Sequence, residues 1–204
     1  TVVSTRAMAP RHALIMAGCL NFAGAFWSEE VAKTVGGGLV VPVHVGSLQV
    51  VLAALIGALA WNIFTWWLGL PSSSSHALVG GLIGAVSYQV GNLEEGVQWL
   101  NVLQKVVIPG LIAPVLAIVV GYLLMAVLMW SLHLLKPNPA NVNNRFRWVQ
   151  RFSAATMAFS HGTADAQKVM GIITLALVTA GVQKEFHVLP WVKASCALMI
   201  SLGT

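Results

Sequence analysis

Residues 61–85 read WNIFTWWLGLPSSSSHALVGGLIGA, and they join two apolar segments with almost no loop between them. The first segment, 46–70, exceeds the roughly 20 apolar residues that cross a bilayer, and the tryptophans near its end are typical of a membrane interface. The second is apolar only over 77–90, which is too short to span. The sequence therefore predicts a membrane helix followed by a re-entrant helical hairpin at 70–90.

The composition of the 204-residue chain indicates that lipid covers most of its surface. Hydrophobic residues make up 57% of it and charged residues 8%, whereas soluble domains carry about 25% charged residues. The formal net charge is +5, but the basic residues are scattered between apolar segments. Such charges orient membrane helices, so we expect no nucleic-acid interface. Cys19 and Cys196 lie inside apolar runs and are predicted to be small packing residues, neither metal ligands nor a disulfide.

Apolar segments outside this stretch extend the pattern to an all-α, polytopic membrane protein. Membrane helices are predicted at four further places: 12–27, 106–132, 152–180, and from 191 onward. The stretch 136–151 carries four basic residues and no acidic residue, so the positive-inside rule predicts a cytoplasmic loop. A glycine-rich break is expected at 35–41.

Four consecutive serines, Ser72 to Ser75, follow Pro71 at the predicted start of the second helix. The free N–H groups and the dipole of a helix N-terminus attract anions. Added hydroxyls can replace the hydration shell of a tetrahedral oxyanion without a full positive charge, as in the discontinuous helices of transporters. N-capping is the alternative for any one serine. As a group, Ser72, Ser73, Ser74 and Ser75 are predicted anion ligands, and Pro71 is predicted to break the helix.

A second polar cluster, FSHGTADAQK at 159–168, lies within an otherwise apolar segment. A carboxylate at membrane depth costs at least about 2.5–3.5 kcal/mol, so Asp165 is retained only if it pairs, binds a cation or carries a proton. Lys168 is three residues further on and can share a helix face with Asp165. Two interpretations stay open: a structural ion pair with Lys168, and a coupling-ion or proton site at Asp165.

Four neighbours of Asp165 are further candidates. Gly162 permits a helix break and close backbone approach, so we expect the helix to be interrupted near mid-membrane. Thr163 and Gln167 can supply neutral ligands. His161 can donate a hydrogen bond to an anion, and it can equally be a packed histidine. The predicted anion ligands in this cluster are therefore His161, Thr163 and Gln167.

Three stretches resemble the inorganic phosphate transporter family, in its low-affinity bacterial form. They are residues 61–85, FSHGTADAQKVMG at 159–171, and the opening 1–14 with STRAMAPRH. The resemblance covers nearly the whole chain. It implies secondary active transport of inorganic phosphate by alternating access, with H⁺ or Na⁺ as the coupling cation at Asp165 and a metal–phosphate complex as a further form of substrate. It implies no cofactor and no enzyme activity.

Members of that family are built from two inverted repeats, each with a broken, Asp-containing helix and a hydroxyl-rich hairpin, and the four pieces meet around one phosphate. By this resemblance, 1–135 is the rest of the first repeat, 136–151 the basic loop and 152–204 the start of the second repeat. Similar helix openings at Pro10 and Pro190 imply an offset of about 180 positions between the repeats. We therefore expect a piece of a longer protein that holds half of the site.

The resemblance also implies an environment for the protein. We expect a multi-pass protein of the cell inner (plasma) membrane, with the lipid bilayer and inorganic phosphate as partners and no nucleic acid. A homodimer is a further expectation.

Ala164 departs from the family pattern, which has Asn before the aspartate. The lost amide ligand predicts a weaker, retuned or disabled site.

Sulfate transport is the close alternative to phosphate transport, because sulfate is also a tetrahedral oxyanion. An intramembrane hydrolase with a Ser/His/Asp triad is disfavoured because the chain has no Gly-x-Ser-x-Gly elbow. A non-transporting membrane scaffold is the last alternative.

Overall fold

Every regular element in the described part of the chain is helical. The computed structural model describes residues 2–40, 47–135 and 138–204. The helices are α1 Pro10–Ala25, α2 Glu30–Gly37, α3 Leu48–Trp67, α4 Ser74–Val90, α5 Leu93–Gly96, α6 Trp99–Val102, α7 Ile108–Leu135, α8 Pro139–Thr179 and α9 Pro190–Leu202. A π-helical turn, Leu103–Val107, connects α6 to α7. Parts of three predicted stretches lie outside the described residues: Thr1 of the opening, Val41 of the glycine-rich break, and Lys136 and Pro137 of the basic loop.

The serine motif begins in the link between α3 and α4 and continues into the first two residues of α4, and these two helices pack against each other. α3 ends in a turn at which Gly69 has a φ of 67°, a conformation that residues with a side chain rarely adopt. Pro71 lies in the non-helical link at 68–73. The packing is close, because a Cβ on Gly81 would lie 2.4 Å from the Ala54 carbonyl oxygen. The predicted pair of helices is present, and its re-entrance into the membrane stays a prediction.

The longest helix, α8, contradicts two predictions. Residues 139–151, predicted as part of a loop, are helical and form its first turns. Proline suits such a start, because the first N–H groups of a helix have no partner within it, and Pro139 therefore sacrifices no hydrogen bond. The helix also continues through Gly162, where the sequence predicts a break. A Cβ at Gly162 would lie 2.2 Å from the Asn21 carbonyl oxygen of α1, so this glycine serves helix packing and does not interrupt α8.

The core is built around α8, along which α1, α2 and α9 pack. Glycines set the separation of these helices: an added Cβ would lie 2.2 Å from the Phe159 carbonyl oxygen at Gly24, and 2.6 Å from the Ala32 carbonyl oxygen at Gly171. Close contact through small residues is typical of helix packing in membranes. A second buried cluster joins α8 to the α3–α4 pair through Val50, Ala54, Leu82, Val86, Ile172 and Leu175.

Two helical stretches among the described residues are long and apolar enough to cross a membrane, judged by length and composition. They are Leu48–Trp67 and Trp99–Leu135, which contain the predicted helices 46–70 (in large part) and 106–132. None of the most apolar window of the second stretch is buried in the protein. Its apolar side chains therefore need lipid or another protein segment around them.

Helices α1 and α9 begin in the same way. Each has proline in its first turn after an extended residue, with φ −68° and ψ 146° at Ala9 and φ −66° and ψ 146° at Leu189. The similarity of the two openings therefore extends from sequence to local geometry. The inverted repeats themselves stay a prediction.

Candidate functional site

The N-terminus of α4 presents hydroxyl groups and free amides at one place. Ser73 is the N-cap, and its hydroxyl accepts a hydrogen bond from the His76 backbone N–H at 3.3 Å. Ser74 and Ser75 occupy the first helical positions, where backbone N–H groups have no acceptor within the helix. This helix end therefore combines hydrogen-bond donors with the positive end of the helix dipole.

Lys168 joins the serine motif to the aspartate cluster. Its ammonium group donates hydrogen bonds to the Ser75 hydroxyl of α4 and to the Asp165 carboxylate of its own helix. The exposed fractions of the Lys168 and Asp165 side chains are 23% and 37%, so solvent screens the ion pair only in part. The two motifs, 93 residues apart at Ser75 and Lys168, thus meet at one point.

A series of polar contacts continues from Asp165 to α1 and to the end of α9. The carboxylate oxygen that does not face Lys168 lies 3.1 Å from His161 Nε2. On the other side of the imidazole ring, Nδ1 lies 3.2 Å from Asn21 Oδ1. Asn21 Nδ2 donates to the Thr204 hydroxyl at 2.7 Å. Asn21 is buried, and these contacts satisfy both ends of its amide.

An open cavity of about 670 Å³ lies beside these groups, between α3, α4, α8 and α9. Most of its wall is aliphatic, and its polar lining consists of Asn62, Ser74, Ser75, His161, Asp165, Lys168 and Ser195. Such a cavity, with a few convergent polar groups, is typical of a site for a small ligand. A second cavity of about 520 Å³ also has Ser75 and Lys168 in its wall. The hydrogen bond between these two residues therefore borders both cavities.

The whole chain, residues 1–204, matches the sequence profile of the family described as the phosphate transporter family. The chain belongs to this family. Family membership makes it a membrane protein, in agreement with its apolar helices. The resemblance inferred from the serine and aspartate motifs is confirmed.

Similar proteins that are named as phosphate transporters support the assignment of the chain to this family. The chain is similar to the "Probable low-affinity inorganic phosphate transporter" of Bacillus subtilis (strain 168), at 41% identity over 208 residues, covering 100% of this chain and 60% of that protein. It is 47% identical over 163 residues to a protein of the same name from Streptomyces halstedii, covering 79% of this chain and 74% of that protein. These relatives are named as transporters, not as enzymes. The chain spans 60% of the Bacillus protein and 49% of a Mycobacterium leprae relative.

A solved structure called "The sodium-dependent phosphate transporter" has the same fold. The TM-score is 0.75 at 22% sequence identity, with 100% of this chain and 68% of that chain covered. At this low sequence identity, the comparison shows that the two proteins share a fold, that is, the same arrangement of helices.

The predicted ligands of this phosphate transporter family member separate into two groups. Ser74, Ser75, His161 and Asp165 line the larger cavity. Ser73 lines the second cavity, and Ser72 is exposed in the link before α4. Of the four serines predicted as anion ligands, the structure therefore places Ser74 and Ser75 in the wall of the cavity that Asp165 lines.

Thr163 and Gln167 lie on other faces of α8. The Thr163 hydroxyl lies 3.0 Å from the Gly24 carbonyl oxygen and 2.9 Å from that of Phe159, so it stabilises the contact with α1. Gln167 is buried, and its side-chain oxygen accepts the Val31 N–H at 2.9 Å in the first turn of α2. The structure therefore does not bring these two residues to the cavity, although the sequence predicts them as anion ligands.

Three polar residues of the site, Asn21, Asn62 and Ser195, were not predicted from the sequence. Asn21 is the main polar interruption of the first apolar segment, and Asn62 interrupts the second. An amide inside a membrane helix needs a partner, so these interruptions were the available signal. The sequence did not show that Asn21 would contact His161, 140 residues away.

Proposed function

We propose that this protein takes part in secondary transport of inorganic phosphate across a membrane, with H⁺ or Na⁺ as the coupling cation. The observation that carries the proposal is the position of the Lys168 ammonium group. It bonds to a serine of one motif and to the aspartate of the other at the edge of one cavity. The names of the relatives support phosphate as the substrate.

In this proposal Ser74, Ser75 and Lys168 bind the anion, and Asp165 takes the coupling cation. Hydroxyl, amide and ammonium donors at a helix N-terminus stabilise a tetrahedral oxyanion. Because Asp165 balances the charge of Lys168, the empty pair has no net charge. The anion is then held mainly by hydrogen bonds and can leave again, which a carrier requires.

Alternating access, in this proposal, acts at the contact between Ser75 and Lys168. This contact borders both cavities, so its rearrangement would change which cavity reaches the bound anion. Residues 1–135 and 152–204 would belong to two inverted repeats in a multi-pass protein of the plasma membrane. Movement of one repeat against the other would expose the site to each side in turn.

Competition uptake in vesicles that contain the intact protein tests the substrate. We expect labelled phosphate to enter, and we expect excess unlabelled phosphate, but not excess sulfate, to block its entry. Equal block by sulfate would favour the broader oxyanion transporter. Loss of uptake when a chelator removes divalent cations would indicate a metal–phosphate complex as the transported species. No uptake above empty vesicles would contradict the proposal.

Replacing Ser75 with alanine should weaken phosphate uptake without preventing folding. The change removes one hydroxyl donor at the cavity and one partner of Lys168. A hydrogen bond of this kind is worth about 1–1.5 kcal/mol, so KM should rise about 5- to 13-fold. Ser131→Ala is the matched control, because that hydroxyl bonds only locally, to the Val127 carbonyl oxygen on the exposed helix α7. Equal KM values for the two variants would exclude Ser75 from the site.

Changing Ala164 to asparagine should lower KM for phosphate. Ala164 is exposed on α8, directly before Asp165, where the family pattern has an amide. An added neutral hydrogen bond to the anion is worth about 1 kcal/mol, so KM should fall about fivefold in the same uptake assay. An unchanged KM would show that the side chain at this position does not reach the anion.

A further inference from the structure

The arginines of the chain gather at one end of the molecule. They lie near the starts of two helices, α1 and α8, and are Arg6, Arg11, Arg145, Arg147 and Arg151. Just before α1, the Ala7 carbonyl oxygen accepts from Arg151 Nε at 2.6 Å. Further along both helices, the Thr163 hydroxyl lies 3.0 Å from the Gly24 carbonyl oxygen. These contacts advance in the same order along both helices, so α1 and α8 run parallel and their starts lie at the same end.

No carboxylate balances the positive charge at this end. The sequence has no acidic residue before Glu29 and none between Glu95 and Asp165. Along α8, Asp165 lies about 21 Å beyond Arg151, at a rise of about 1.5 Å per residue. None of the ion pairs among the described residues involves an arginine. The arginines therefore present a positive surface without compensating acids.

Arg147 has a hydrogen-bond donor that the described part of the chain does not satisfy. Its Nε is shielded from solvent and has no partner there. A buried donor without an acceptor is costly, and more so in a charged group. Arg147 and Arg151 lie on nearly the same face of α8, because residues four apart differ by about 40° around the helix axis. An oxygen acceptor that binds beside them from outside the chain would complete the hydrogen bonds of Arg147.

Arg151 is held in position by two contacts. Its Nε bonds to Ala7, and its guanidinium carbon lies 4.8 Å from the centre of the Trp148 ring. A guanidinium has five N–H donors in a planar fork, and the contact with Ala7 uses the one at Nε. The terminal N–H groups have the geometry that binds two oxygens of one phosphate group. Arg151 can therefore keep its structural contacts and bind a phosphate group at the same time.

The level of these arginines along α8 matches the headgroup region of a bilayer. The apolar segment of α8 that is predicted to enter the membrane begins at Phe152, directly after Arg151. The headgroup region of each leaflet is about 5–8 Å thick, which corresponds to roughly 3–5 residues of helix before that point. Trp148 is exposed at this level, as in the aromatic belt of membrane proteins. Arg147 and Arg151 therefore lie where the phosphate groups of lipids are found.

We propose that Arg147 and Arg151, with Arg6 next to Ala7, form a binding site for the phosphate group of an anionic phospholipid such as phosphatidylglycerol. The exposed ring of Phe152 is then available to the acyl chains. The orientation of membrane helices requires only basic charge in the flanking segment. The unsatisfied donor of Arg147 and the fixed position of Arg151 are additional features, and they indicate a bound group. The inference goes beyond the proposed transport of phosphate and does not depend on it.

Native mass spectrometry of the intact protein in a neutral detergent, titrated with dioleoyl phosphatidylglycerol, tests the site. We expect Arg147→Gln to raise the Kd of this lipid about tenfold, because charge-assisted hydrogen bonds to the phosphate group are lost. Arg145→Gln is the matched control. It removes the same charge from the same helix, but on a face about 160° away from Arg147, and it should change the Kd less than about twofold.

Two further measurements separate a built site from general attraction between charges. The unfolding midpoint of Arg147→Gln in lipid-free detergent should equal that of the unmodified protein, because Arg147 Nε has no partner within the described residues. Arg147→Lys keeps the charge without the planar fork, so its Kd should lie between those of the unmodified protein and Arg147→Gln. An unchanged Kd in Arg147→Gln would overturn the site. Equal increases in Arg147→Gln and Arg145→Gln would also overturn it, because they would show attraction by charge alone.

Three other ligands identify what the site binds. Phosphatidylcholine carries the same phosphate group without a net charge, and diolein carries the same acyl chains without phosphate. Both should bind at least about tenfold more weakly than phosphatidylglycerol. Inorganic phosphate at the concentration of the lipid should not displace it, because the free anion lacks acyl chains. Displacement by inorganic phosphate would assign the arginines to the free anion and overturn the lipid site, as would equal binding of phosphatidylcholine.

Discussion

Concentrative phosphate uptake should be lost when Asp165 is replaced by asparagine. The change removes the carboxylate that accepts from Lys168 and from His161, and it leaves the ammonium charge without a balancing anion. Two hydrogen bonds to a charged group are worth about 1.5–3 kcal/mol each. Their loss should therefore lower the rate of phosphate uptake by a factor on the order of 100 or more. The measurement is the initial rate of labelled phosphate uptake in vesicles, normalised to the amount of folded protein.

A double variant separates a functional carboxylate from a structural ion pair. In Asp165→Asn/Lys168→Gln both charges are removed, so no unpaired charge remains. If the pair only stabilises the fold, this variant should recover both folded protein and uptake. We expect recovery of folded protein without uptake, because the variant lacks both the proposed site of the coupling cation, Asp165, and a proposed anion ligand, Lys168. Glu94→Gln, at an exposed acid in the short helix α5, is the control and should leave uptake unchanged.

Replacing Gly162 with alanine should strongly destabilise the protein. The new methyl group would lie 2.2 Å from the Asn21 carbonyl oxygen and 2.5 Å from its Cα, so α1 and α8 must separate. Overpacking of this kind costs about 1–3 kcal/mol, and more where backbone atoms must move. We expect a lower midpoint of thermal unfolding in detergent. Reduced uptake should follow, because separation of the helices also disturbs the contact between Asn21 and His161.

Gly121→Ala provides the matched comparison for this prediction. It adds the same methyl group to the helix α7, at a position where no atom lies within 4 Å apart from the neighbouring residues and the backbone of the helix itself. Its unfolding midpoint should equal or exceed that of the unmodified protein, since alanine favours helix over glycine. If Gly162→Ala were equally well tolerated, this result would contradict the close contact between α1 and α8 at Gly162. A helix that breaks at Gly162 would then again be the better explanation of this residue.

Local features of the sequence predicted several of the helices and identified the two polar motifs. Apolar segments of sufficient length predicted α3 and the part 106–132 of the Trp99–Leu135 stretch, because the length of an apolar run is a property of the run itself. Prolines marked the starts of α1 and α9, and the serine run marked the start of α4. The specific residue order around Ser72–Ser75 and Asp165 was sufficient to predict the family.

The tertiary structure decided which side of each motif faces the cavity. The sequence could not separate Ser75 and Asp165, which line the cavity, from Thr163 and Gln167, which bond to α1 and α2. It also assigned Gly162 to a helix break, whereas the structure uses it for contact between helices. The physical reason is that composition and spacing constrain a helix along its own axis. The face a residue presents, and the partner it meets there, depend on packing against segments that lie 90 to 140 residues away.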